Sequence, residues 1–279
     1  MCCGSSPWQP AEPTLVVVGR SGDPGSDESG SPPEASLVDR LRRARATVML
    51  TGAGASAESG IPTFRDAMTG LWSRYSPEKL ASPEGFADDP SLVWRWYEWR
   101  RDLVGGARPN AGHLAVTELQ SLIKNFTLVT QNVDGLHQRA GSRTVLELHG
   151  NLFANLCSRD GLSVEATAWI EGSPPRCPRC GSAVRPGVVW FGEMLPQAVL
   201  VQAQAAAAAC EIFFSVGTSA LVYPAAELAE IALRSGAIVI EINPEPTPLT
   251  HLADYVIAEP SARALPRLCA ALRKSQKEP

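Results

Sequence analysis

Several groups of residues in this chain have the types and spacing to do chemistry. His149, one of four histidines, follows the apolar run "TVLEL" (144–148) and precedes Gly150. Its ring is expected to project from a strand end, and imidazole titrates where a general base near neutral pH needs to; a structural histidine is the alternative. "TQNVDGLHQRAG" (130–141) sets Asn132 and Asp134 at another strand end, where an amide and a carboxylate can bond a ribose or a carboxamide. An Asx-turn closing the loop explains them equally. "TGAGASAESGIPTFRD" (51–66) carries Gly52 and Gly54, which let a backbone turn tightly and approach a pyrophosphate with its amides. Ala57 stands where a full G-x-G-x-x-G would need glycine, so the glycines alone also fit a plain strand-to-helix turn. Phe64 and Arg65 add an aromatic face and a cation just past it. "GTS" (217–219) and "NPE" (243–245) supply Thr218, Ser219, Asn243 and Glu245, partners for ribose hydroxyls or helix caps. Cys157, Cys177 and Cys180 have zinc-ribbon spacing except that Asp160 stands in the fourth slot; carboxylate oxygen is an acceptable but unusual ligand there. "CPRC" by itself also fits a turn with two free thiols. Last, "VWRWYEWRR" (93–101) packs three tryptophans, a tyrosine and three arginines into nine positions. It reads as core, as a nucleic-acid surface, or as a pocket wall for something acidic.

These groups need a frame that brings strand ends together. "TVML" (47–50), "FTLVT" (126–130), "TVLEL", "EIFFSV" (211–216) and "AIVIEI" (237–242) are short β-branched-rich runs that stop in small or polar residues. Helical stretches at 111–124, 197–210 and 224–235 lie between them. The alternation predicts an α/β fold, a Rossmann-like parallel sheet with helices on both faces, whose ligands bind at the carboxyl ends of the strands. Leu37, Val38, Leu41 and Ala44 recur at helical spacing, with Ser36 as the expected N-cap. Residues 66–110 and 151–190 interrupt the alternation and are expected to form a smaller lobe inserted beside the sheet. His113 and His137 read as structural, and His251 as surface.

The composition narrows the partners. A net charge of −4 gives no reason to expect a polyanion, so nucleic acid is not an expected partner. No apolar run reaches the ~20 residues of a membrane span, and "MCCGSSPWQP" lacks the features of a signal peptide; a cytoplasmic protein without membrane association is expected. Seven scattered cysteines do not form a disulfide framework. Residues 1–35, rich in Gly, Ser, Pro and acid, are expected to be a disordered tail, leaving 36–279 as the folded part.

Taken in order, "GAGASAESGIPTFRD", "TQNVDGLHQRAG", "LELHGN", "CPRC", "VVWFGE", "GTS" and "INPE" resemble the sirtuins, NAD-dependent protein-lysine deacylases, over roughly residues 36–270. The resemblance makes 36–279 the catalytic domain and implies one NAD site between a Rossmann-like lobe and a small lobe. It places Ala53, Gly54, Ala57, Phe64 and Arg65 in a flexible cofactor loop. Gln131, Asn132 and Asp134 would line the ribose and nicotinamide pocket, and Gly217, Thr218, Ser219, Asn243 and Glu245 would hold the adenosine half. His149 would be the general base. In the family's chemistry the acyl oxygen attacks C1′ of the nicotinamide ribose, nicotinamide leaves, and the acyl group passes to ADP-ribose. "VVWFGE" (188–193), with Val189 and Phe191, resembles the segment that pairs with an acylated-lysine peptide as an added strand. Zinc is implied by the family and put in doubt by Asp160.

Sirtuins divide by acyl group, and those that remove succinyl and malonyl groups carry a Tyr-x-x-Arg pair that Tyr97 and Arg100 match. A spacing of three sets both on one helix face, where a guanidinium and a phenol can hold a carboxylate. Ala67, after "TFRD", is compatible with the small residue found at such a pocket's entrance. The expected activity is therefore NAD-dependent deacylation of protein lysines with preference for acidic acyl groups. Plain deacetylation and a non-catalytic NAD or ADP-ribose sensor are the alternatives, as is a helix on which Tyr97 and Arg100 are only decoration. Transfer of ADP-ribose to protein is a weaker one.

Overall fold

A computed structural model describes residues 15–17, 33–62, 73–165 and 172–276. The strand runs fold as expected. β2 (Thr47–Thr51), β3 (Phe126–Thr130), β4 (Val145–Glu147), β7 (Ile212–Val216), β8 (Ile238–Ile242) and β9 (Tyr255–Ile257) are six parallel strands, and β1 (Leu15–Val17) adds antiparallel to β9. The order is β1-β9-β8-β7-β2-β3-β4.

Both faces of the sheet are covered, which explains why the strands read as unbroken apolar runs. On one face α1 (Pro33–Arg43), α5 (Ala111–Leu122) and α9 (Ser261–Ser275) pack onto Met49, Leu128, Phe214 and Ile240. On the other, α7 (Gln197–Ala209) and α8 (Glu227–Arg234) cover Val48, Leu50, Phe213 and Val239. From β2 the chain builds β3 and β4 on one side and later returns to build β7, β8 and β9 on the other. The order thus reverses between β2 and β7, opening a crevice at their carboxyl ends.

The interruptions form the smaller lobe. α2 (Pro77–Leu80), α3 (Pro83–Asp88) and α4 (Pro90–Gly106) stand against a two-stranded antiparallel sheet of β5 (Gly150–Cys157) and β6 (Val184–Val188). α4 starts at Pro90 behind Asp89, whose carboxylate accepts the Leu92 N–H at 2.9 Å. Its tryptophans are mostly core, as expected. Trp96 and Tyr97 join Leu80, Phe86, Leu152 and Trp190, while Trp94 packs against Cys157, Val164, Cys177 and Val184. Arg101 clamps the helix to β5. Its Nε donates to the Leu152 carbonyl at 2.7 Å, and Nη2 donates to the Ala154 carbonyl and Asn155 Oδ1.

Two sequence expectations change. Ser36 is not an N-cap: α1 begins at Pro33, and the Ser36 hydroxyl lies inside it, 3.3 Å from the Tyr255 hydroxyl. Nor is the whole of 1–35 structureless, because "LVV" pairs along the otherwise open edge of β9, where its β-branched residues suit a strand. Among the described residues no helix is long and apolar enough to cross a membrane.

Trp94 fills the space between α4 and the cysteine-bearing end of the small sheet at 1% exposure. Trp94→Ala is expected to lower stability by about 3–5 kcal/mol, measured by urea denaturation; a loss below 1 kcal/mol would show that the helix and the cysteine loops are not packed as one unit.

Candidate active site

The strand-end groups converge. Gly54 N–H donates to the Gly217 carbonyl at 2.8 Å, and Gly52 N–H to that of Val216 at 3.0 Å. A Cβ on Gly217, whose φ is +58°, would stand 2.4 Å from Ala55 N. These glycines therefore let the loops after β2 and β7 touch backbone to backbone. The Gly54 amide expected to face a phosphate is already used; what the close contact secures is the shape of the crevice.

Asn132 ties the loops after β2 and β3 together. Its side-chain nitrogen donates to the Gly52 carbonyl at 3.0 Å and to Ser56 Oγ at 3.1 Å, and its backbone N–H to Thr130 Oγ1 at 3.0 Å. Ser56 in turn donates to Asp134 Oδ2 at 2.7 Å, while Asp134 Oδ1 accepts the Leu136 N–H. Asp134 thus makes the Asx-turn and belongs to the site network as well. Gln131 reaches across to β7, with Nε2 2.9 Å from Thr218 Oγ1, and Asn243 bonds the Thr218 carbonyl. Ser219 and Glu245 are exposed at the same strand ends. Hydroxyl, amide and carboxylate groups gathered there are the chemistry that hydroxyls of a ribose require.

His149 sits in the turn between β4 and β5. Its Nδ1 lies 2.9 Å from the Gln131 carbonyl, which can only accept, so Nδ1 carries the proton and Nε2 is left as the basic atom. Burial pushes its pKa below the ordinary value, partly offset by the Gln131 bond. The ring is neutral near pH 7 and ready to take a proton.

A cavity of about 390 Å³ joins these groups to the small lobe. His149, Gln131, Asn132 and Asp134 line it from the sheet side, Tyr97, Arg100 and Val104 from α4. The i, i+3, i+7 spacing puts the last three on one stripe of the helix. Arg100 lies over the Trp96 ring at 5.0 Å and the Tyr97 ring at 5.6 Å. Burial lowers its pKa, offset in part by Tyr97, and burial raises that of the Tyr97 phenol.

Residues 52–224 match the Sir2 family. The chain belongs to that family. NAD-dependent protein deacylase 1 of Pseudomonas aeruginosa is 54% identical over 241 residues, covering 84% of this chain and 96% of that protein. The NAD-dependent protein deacylase of Aquifex aeolicus is 50% identical over 228 residues, 81% of this chain and 95% of that one. A Sir2 homologue solved as an NAD complex superposes with a TM-score of 0.80 at 46% identity, covering 88% of this chain and 96% of that one. Sir2Tm bound to a propionylated peptide gives 0.75 at 32% identity, covering 86% and 98%.

In this Sir2 chain three thiols, Cys157, Cys177 and Cys180, place their Sγ atoms within 4.8 Å of one another, a set able to hold a metal ion. They sit on two matching turns. Gly161 N–H bonds the Cys157 carbonyl at 2.9 Å, as Gly181 N–H bonds that of Cys177 at 2.8 Å; φ is +69° at Gly161 and +70° at Gly181. Cys180 Sγ accepts the Ser182 N–H, and Asp160 Oδ1 accepts the Leu162 N–H at 2.9 Å. Asp160 therefore occupies in the first turn the place that Cys180 has in the second, and Arg179 pairs with it at 3.4 Å.

Phe64, Arg65 and Ala67 lie outside the described residues. Ala53 and Ala57 are exposed on the loop after β2. The "VVWFGE" segment does border the cavity, but three of its amides are taken. Val189 N–H bonds the His149 carbonyl, Phe191 N–H that of Ala81, and Trp190 N–H a Glu193 carboxylate oxygen.

The sequence missed the layer beneath the site. His113 Nδ1 accepts the Asn110 N–H, and its Nε2 lies 3.3 Å from Ser56 Oγ; His137 Nε2 lies 2.9 Å from Thr51 Oγ1, and the two rings meet edge-on at 4.8 Å. Both are structural and buried, as expected, yet they hold the network from below. Their partners are 57 and 86 residues away, beyond any local motif.

Burial holds His113 below its ordinary pKa and pushes His137 down to about 3. Unfolding exposes both to water, where imidazole takes a proton near pH 6.5. Between pH 6.5 and about 3 the unfolded chain therefore binds more protons, and stability falls as the pH falls through that range. Urea midpoints at pH 7 and pH 5 should show a loss of about 2 kcal/mol for His137 alone, and His137→Gln should flatten the slope; an unchanged slope would contradict the assignment.

Proposed function

We propose that the chain is an NAD-dependent protein-lysine deacylase that prefers acyl groups ending in a carboxylate, such as succinyl and malonyl. The observation that carries the reading is that Tyr97, Arg100 and His149 line one cavity. The named relatives and the NAD complex of a homologue support the cofactor, and the strand-end donors fit it. NAD, when bound, supplies the ribose carbon to which the acyl oxygen adds and nicotinamide as the leaving group.

The chain's residues have distinct tasks. Gln131, Thr218, Ser219, Asn243 and Glu245 hold the hydroxyl-rich part of the cofactor. Asn132 and Asp134, tied through Ser56, fix the floor on which the nicotinamide end rests. His149 Nε2 takes a proton from a ribose hydroxyl while the Gln131 carbonyl holds Nδ1–H in place. The apolar walls, Ile61, Val188 and Val222 among them, keep water from the reacting centre. Arg100 and the Tyr97 hydroxyl receive the acyl carboxylate through charge-assisted bonds worth about 1.5–3 kcal/mol. An acetyl group gains nothing from them, so the preference rests on that difference.

With NAD and matched peptides, Arg100→Met should lower kcat/KM for succinyl-lysine about 10- to 100-fold and leave acetyl-lysine within about threefold. Equal turnover of succinyl- and acetyl-peptides by the unsubstituted protein would overturn the acidic-acyl preference.

The same reading assigns zinc to Cys157, Cys177 and Cys180 with Asp160 as the fourth ligand, its place set by the two matching turns. Tetrahedral zinc needs four donors at about 2.0–2.3 Å. Purified protein should carry about one zinc per chain. Asp160→Ala should release it to a chelator at least tenfold faster, and Asp160→Cys should retain it longer. Release rates unaffected by either change would remove Asp160 from the ligand set.

A further inference from the structure

Trp190 lines the same cavity as the acyl-reading pair and is bonded to it. Its indole N–H donates to the Tyr97 hydroxyl oxygen at 3.0 Å, and Arg100 is a second hydrogen-bonding neighbour of that hydroxyl. A phenol has one proton to give and an oxygen that accepts. With N–H groups from two side chains on the oxygen, the hydroxyl's remaining capacity is its proton, and among the described residues no acceptor for it is recorded. Tyr97 lines the cavity, so the proton serves whatever acceptor enters.

The indole is itself fixed on every side. Arg185 lies over the ring at 3.6 Å and is paired with Glu193, whose Oε2 is 2.8 Å from Arg185 Nη2 and also accepts the Trp190 backbone N–H at 2.8 Å. Phe86 meets the ring at 5.2 Å, and Trp190 is 3% exposed. A side chain this constrained cannot swing its N–H elsewhere.

We propose that Trp190 is a specificity-positioning residue: its indole N–H commits the Tyr97 hydroxyl to act as a donor, so that Tyr97 and Arg100 both present donors to the acyl end. A carboxylate, which only accepts, matches both. An amide-terminated isostere of the same size presents N–H groups to two side chains, Tyr97 and Arg100, that offer it donors, and a buried unpaired donor is costly. The inference rests on the carboxylate reading and adds to it the residue that enforces it and the class of acyl group it rejects.

The test uses Trp190→Phe, which keeps a smaller aromatic ring and removes the N–H donor, with peptides carrying succinyl-lysine, its terminal amide (succinamyl-lysine) and acetyl-lysine. The expected result is a five- to tenfold rise in KM for the succinyl-peptide with kcat within twofold. The preference for succinyl over succinamyl should shrink by a similar factor, and the acetyl-peptide should lose less than the succinyl-peptide. A single cooperative urea transition shows that the variant is folded. Because Trp190 acts through Tyr97, Trp190→Phe added to Tyr97→Phe should cost nothing more. A succinyl preference intact in Trp190→Phe, equal losses on all three peptides, or additive losses in the double variant would each overturn the inference while leaving the carboxylate reading standing. No succinyl preference in the unsubstituted protein would overturn both.

Discussion

The bond from the Val189 N–H to the His149 carbonyl, 2.9 Å long, is the joint on which the site depends. His149 leaves the end of the parallel sheet, and Val189 leaves the end of the small two-stranded sheet. One residue later Trp190 bonds Tyr97 on α4. A single backbone contact and its neighbour thus fix the proposed base relative to the proposed acyl reader, although the two belong to different layers of the molecule. Position on that scale matters, since a misplacement of an ångström can cost a hundredfold in rate.

The same joint explains why the small lobe is built so heavily. Reading a carboxylate needs a guanidinium kept partly out of water, and desolvating a cation is expensive. The lobe offsets this with aromatic packing around α4, the Arg101 clamp to three groups of β5, and the Arg185–Glu193 pair braced against Trp190. The sheet side meets the opposite demand. Its polar groups are satisfied by one another through Ser56, Asn132 and Asp134, so they hold their positions at low cost. One wall is thus a desolvated cationic pocket and the other a settled hydrogen-bonded floor.

Much of this was legible in the sequence, where the physics is local. Strands buried on both faces must be continuous apolar runs, so "EIFFSV" and "AIVIEI" declared themselves. A spacing of three sets Tyr97 and Arg100 on one helix face wherever the helix goes. His149 next to glycine at the end of a strand had a legible place in the chain. What stayed hidden depended on distant partners. The Gly54 amide is spent on Gly217, 163 residues away in the chain, and no local pattern can show that. Ser36 looked like a cap because it precedes the apolar repeat, yet Pro33 starts the helix a turn earlier. "LVV" lies in the stretch read as a disordered tail, and only the open edge of β9 gives it a partner. Trp190 was read with the substrate segment, and its hold on Tyr97 spans 93 residues.

The most direct test of the account is the structure of the protein with NAD and a succinyl-lysine peptide, solved by crystallography. The account predicts the terminal carboxylate within hydrogen-bonding distance of both the Arg100 guanidinium and the Tyr97 hydroxyl, with His149 Nε2 turned toward the ribose of the cofactor. A carboxylate lying in solvent, or an acyl chain that enters without approaching α4, would contradict it.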